Sequence, residues 1–150
     1  MAPRRYALSG NQNAGASVTI MTISGTTAVR PAVYYITQGF SATPADNAVN
    51  MQVNRHTNDG TGTATTPQAL DSGDPAASGT GVVNHSIEPT YTANAIMLSY
   101  SVNTRANYQF YSNPGGEFIG PATALSGFGI RFVVVSGGTQ LSECSIAYSE

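Results

Sequence analysis

Charged side chains are scarce in this chain of 150 residues: 9%, against roughly a quarter in an ordinary soluble domain. Lysine is absent, so all six positive charges are arginine, and eight carboxylates leave a net charge of −2. That excludes a nucleic-acid binder working through a broad basic surface, because counterion release needs many phosphate contacts. It also excludes an acidic tail and a polybasic membrane patch. Tryptophan is missing, and the single cysteine, Cys144, has no partner within the chain for a disulfide. No apolar run approaches the length of a membrane span. The start, Met1-Ala2-Pro3-Arg4-Arg5-Tyr6, is not followed by an apolar stretch of signal-peptide length, so the chain reads as made in a cytoplasm and not exported by a standard signal.

What is present points to strands. Small uncharged polar residues are abundant, with 15 Ser, 17 Thr and 11 Asn. Leucine occurs five times, against 11 valines and eight isoleucines, and the β-branched pair favours strands. Eight tyrosines and five phenylalanines supply apolar area that the aliphatic residues lack. A chain of this length can bury about 68–70% of its unfolded surface in one core without covalent staples.

Residues 1–16 read as an extended N-terminal arm and residues 17–150 as a single β-sandwich domain. Strands are expected over Ser17–Ile23, Arg30–Gln38 and Val49–Asn54, the last alternating cleanly between apolar and polar. Thr61–Leu70 is a weaker strand interrupted by Pro67, which suits an edge. A Gly/Ser/Pro-rich loop at 71–81 precedes a short strand at Val82–Ile87. Ile96, Leu98, Tyr100 and Val102 share one face of the next strand, and Tyr108 and Phe110 one face of another. Asn113-Pro114-Gly115-Gly116 is a turn, and Glu117–Gly120 a short extended piece. Phe128, Ile130, Phe132 and Val134 form a further alternating face before a Gly137-Gly138 turn, and Cys144, Ile146 and Tyr148 close the chain. Short strands at this spacing indicate an all-β fold, an antiparallel sandwich or barrel. A jelly-roll sandwich of about eight strands is favoured, with an immunoglobulin-like sandwich as the alternative.

Candidate chemistry is sparse. His56 and His85 fall at polar-facing or strand-end positions and read as surface or interface residues. Cys144 aligns with Ile146 and Tyr148 and reads as buried and inert. Asn58-Asp59-Gly60 and Asp71-Ser72-Gly73-Asp74 have turn chemistry, without the ligand run of a calcium loop, and no metal or other cofactor is expected. Asn84-His85-Ser86 matches a glycosylation sequon, a pattern that arises by chance in so Asn- and Ser-rich a chain. A low-charge Thr/Ser/Asn surface suits packing against a partner without desolvating many ions. Arg4, Arg5 and Tyr6 combine residue types enriched at interfaces, and with Arg30 they are the candidate contact residues.

The stretches Ser41–Ala48, Thr66–Ala77 and Glu88–Asn94, with Arg55, Leu8-Ser9-Gly10-Asn11 and Pro114–Glu117, resemble a group of small virion proteins of tailed bacteriophages and cyanophages. Some of these are similar to jelly-roll capsid decoration, or cement, proteins. The resemblance spans most of the chain but rests on turn and loop signatures. Members of the group carry aromatics around the position held here by Met51. It implies a structural protein, not an enzyme, on the outer surface of the capsid. Its partners would be the major capsid protein and sister copies in a trimer at local three-fold axes, with the N-terminal arm adding a strand to a neighbour. The alternative is a carbohydrate- or receptor-binding fibre domain, for which Tyr34, Tyr35, Tyr91 and Tyr111 are the available platform. A small enzyme on the same fold is a third reading, lacking any visible catalytic pair.

Overall fold

The computed structural model describes residues 3–14, 17–41, 45–134 and 140–150. The Gly137-Gly138 turn, residues Ala42–Pro44 and the side chain of Val134 lie outside the described residues. Those described form an all-β, sandwich-like pair of antiparallel sheets, finer in division than the eight strands expected. The strands are β1 (Arg5–Ala14), β2 (Val18–Ser24), β3 (Ala32–Ser41), β4 (Ala48–Asn58), β5 (Thr61–Thr65) and β6 (Gln68–Ala69). They continue with β7 (Thr80–Ile87), β8 (Thr90–Asn103), β9 (Tyr108–Tyr111), β10 (Phe118–Ile119), β11 (Gly127–Val134) and β12 (Gln140–Ser149). One sheet runs β10-β3-β12-β1-β6 with β9 also on β3, and the other β5-β7-β2-β11-β4-β8. Pairing is nested: β1 with β12, β2 with β11, β3 with β10, β4 with β8 and β5 with β7.

Alternation places the core. Ile36, Cys144, Ile146 and Tyr148 from the first sheet meet Met21, Ile23, Val49, Met51, Val53, Phe128, Ile130 and Phe132 from the second, all 3% exposed or less. Met51, where an aromatic would suit the resemblance, is an interior side chain that accepts the Tyr100 hydroxyl on its sulfur at 2.6 Å. Burial of the Cys144 thiol pushes its pKa up to about 12, which matches an inert role.

The N-terminal arm is corrected. Arg5–Ala14 is a strand of the sheet, paired along its whole length with β12 and at Tyr6 and Ala7 with β6. Tyr6 and Leu8 are buried, and the Tyr6 ring lies 5.6 Å from that of Tyr148. Gly10 and Gly81 let β1 and β7 close up: a Cβ on Gly10 would sit 2.7 Å from Val83 Cγ1, and one on Gly81 2.7 Å from Leu8 Cδ2.

Two smaller expectations also shift. Pro67 splits Thr61–Leu70 into two edge strands, β5 on one sheet and β6 on the other, because the missing N–H ends the ladder there. On β8, Val53 faces Leu98 while Asn54 faces Ile96, so Met97 is an extra residue. The bulge reverses the alternation, leaving Leu98, Tyr100 and Val102 half-buried but turning Ile96 outward, 51% exposed.

Candidate interaction end

The register brings distant arginines to one end of the sandwich. Arg5 of β1 faces Ser149 of β12, which faces Ala32 of β3, and Ala32 faces Ile119 of β10. Arg30 leads into β3 and donates from Nε to the Gly120 carbonyl at 3.0 Å. Arg55, from the other sheet, donates to the neighbouring Ile119 carbonyl at 3.3 Å and lies 5.4 Å from the Phe128 ring centre. Arg4 precedes β1, and its carbonyl accepts from the Glu150 amide. Four of the six arginines therefore share this end. Arg55 is not among the candidate residues named from the sequence, because only strand pairing carries it to this end.

Aromatic and aliphatic groups flank them. The Arg5 guanidinium lies 5.7 Å from the Tyr34 ring, and Tyr111 stands edge-on to Tyr34 and Tyr35 at 6.4 and 6.3 Å. Tyr34 is an extra residue between Val33 and Tyr35 on β3, and that bulge gathers both tyrosines beside Tyr111. Tyr111 is 71% exposed, and Leu70 and Ile119 are exposed too. Arg4 and Arg5 border a groove of about 380 Å³ with Pro3, Leu70, Asp71 and Asp74, so the acids there balance the arginines. Of the predicted contact residues, Arg4, Arg5 and Arg30 are exposed here, whereas Tyr6 is corrected: it points inward, and its hydroxyl donates to the Pro75 carbonyl at 3.2 Å. Tyr91 lies on the second sheet, apart from the other three tyrosines proposed as a platform.

The histidines are also corrected. His56, Gly127 and Ser24 form one rung of the second sheet, and Asn54, Gly129 and Thr22 the next, on the face away from the core. The chain through Glu88 to Tyr91 folds over that face, leaving His56 and His85 2% and 6% exposed. Glu88 accepts from the Thr19 amide and hydroxyl at 2.9 and 2.6 Å, and Tyr91 bonds the same hydroxyl at 2.6 Å. Ser24 donates to Asp59 Oδ1 at 2.5 Å, and His56 Nε2 lies 3.5 Å from that oxygen. These are the residue types of a catalytic triad in the wrong order: the carboxylate, not the imidazole, holds the serine proton, so Ser24 is not activated. Asn58 and Asp71 side chains each accept the amide two residues on, in Asx turns.

Burial disfavours the charged ring and lowers the pKa of both histidines; the Asp59 carboxylate opposes this at His56 but does not win. In the unfolded chain the rings protonate near 6.5. Below that pH the unfolded state binds more protons, so stability falls as pH drops, by at most about 1.4 kcal/mol per pH unit per ring, and levels off below the lowered folded values. A urea midpoint lower at pH 5.5 than at 7.5 is the expected result.

Compared with protein-family models, curated proteins and solved structures, the chain matches none. Among the described residues no group of three or more His, Cys, Asp or Glu is placed to hold a metal ion, and no helix is long and apolar enough to cross a membrane.

Proposed function

We propose that this chain is a structural virion protein, a head decoration or cement protein that seats on the major capsid protein at the outer capsid surface as a trimer at local three-fold axes. The observation that carries the proposal is the shared end where Arg4, Arg5, Arg30 and Arg55 lie beside exposed Tyr111, Ile119 and Leu70. Arginine and tyrosine dominate binding energy at protein interfaces, and guanidinium is more weakly hydrated than ammonium, so this end can be covered with less desolvation penalty. The nested strand pairing supports the jelly-roll reading, since a long antiparallel ribbon wrapped on itself yields that order. Three such contacts in a trimer bind far more tightly than one, which is what holding neighbouring capsomers together requires.

The sugar-binding alternative draws less support. Tyr111 meets Tyr34 at 78° and Tyr35 at 61°, so the rings share no flat face on which a pyranose could stack. The test is rebinding of purified chain to shells stripped of it. Arg5→Glu combined with Arg55→Glu should lower occupancy at least tenfold. Arg105→Glu should leave it near wild type, because Arg105 lies beyond the opposite end of β4, paired with Asp46 at 3.1 Å. Equal occupancy by both variants would overturn the assignment.

A further inference from the structure

The two sheets differ in how their edges are finished. The first ends in two-residue β6, directly after Pro67, and in short β9 and β10, separated by Pro114. Such edges offer little template for another strand. The second sheet ends in β5 and β8, and among the described residues no strand covers the outer side of either. Neither contains a proline or a charged residue. The first half of β8 is bulged, with Asn94 at φ 56°, which turns that stretch out of register. Leu98–Asn103 pairs regularly with β4 and is the usable template, while on β5 the register shifts between Thr61 and Thr63 and the regular stretch is Thr63–Thr65. Leu98, Tyr100 and Val102 are only half-buried along this edge. On the opposite face an uncharged ladder runs from Asn54 to Gln52, Asn50 and Ser99 at 3.4, 2.8 and 3.1 Å, so no ion opposes a neighbour there.

We infer that the chain self-associates head to tail, Leu98–Asn103 of β8 in one copy pairing with β5 of the next. The occupant is a second copy because both edges belong to one sheet, each has a regularly paired stretch, and neither carries a charge. A two-fold β8–β8 contact would leave β5 open, whereas a closed ring of head-to-tail contacts covers every long edge. It would also complete the cover of Leu98, Tyr100 and Val102. That the ring has three members rests on the proposed function; the edge pairing does not.

Light scattering on the eluting protein tests this. The wild-type chain should run at three times 15.5 kDa. Ser99→Lys with Ser101→Lys, and separately Thr61→Lys with Thr63→Lys, should each give monomers that still melt cooperatively. Mixed in equal amounts, the two variants should form a species of two chains, because one intact β8 then meets one intact β5. Amide exchange on the wild-type chain supplies a second readout: Thr61–Thr65 and Leu98–Asn103 should slow together as concentration rises. A monomeric wild type, either variant retaining the wild-type mass, or loss of association in the β8 variant alone would overturn the pairing. Another ring size with both edges protected would support the pairing and contradict the three-fold reading.

Discussion

Deletion of residues 1–8 is expected to abolish cooperative unfolding, and Tyr6→Ala alone to destabilise the chain by about 3–5 kcal/mol. The deletion removes Tyr6 and Leu8, both 2% exposed or less, and strips β12 of the four pairs that Arg5, Tyr6, Ala7 and Leu8 make with it. Tyr6 also ties down loop 71–81 through Pro75, and the Leu70 amide donates to the Arg5 carbonyl. Against a typical total of about 5–15 kcal/mol, such a loss leaves little folded chain. Thermal melts by circular dichroism would show it. An unchanged melt for the truncated chain would restore the view of this segment as an arm detachable from the fold.

The second large effect is expected at Asp59. Its carboxylate accepts from Ser24 and faces His56 where all three residues are 5% exposed or less. Asp59→Ala leaves the buried Ser24 hydroxyl without its acceptor and takes the carboxylate away from the buried His56 ring, and should destabilise by about 2–3 kcal/mol. Ser24→Ala removes one neutral donor and should have a smaller effect. Urea midpoints at pH 7.5 with an unchanged denaturant slope would check this. Equal small effects from both substitutions would mean that the cluster contributes little.

These two sites also show how far the sequence could be read. Strands such as β4, β11 and β12 were legible because a half-buried strand writes period-two alternation into its residues, as at Val49, Met51 and Val53. In β1 that signal fades after Leu8: the continuing alternate positions are Gly10, needed for close approach to Val83, and Gln12, which bonds the His85 backbone. Half an amphipathic pattern then reads as an arm. At His56 the polar-facing reading was sound, but the cover over that face comes from Glu88–Tyr91, which no local pattern connects to it. The arginine end failed for the same reason: Arg5, Arg30 and Arg55 meet only through register across both sheets. Arg4, Arg5 and Arg30 were named for their residue type, not as neighbours.

The most direct test is a density map of intact particles bearing this protein. The proposal predicts one chain per capsid subunit around each occupied three-fold position, with the surface carrying Arg5, Arg30, Arg55 and Tyr111 turned toward the shell. Density for the chain away from the shell, or with that surface facing solvent, would contradict it.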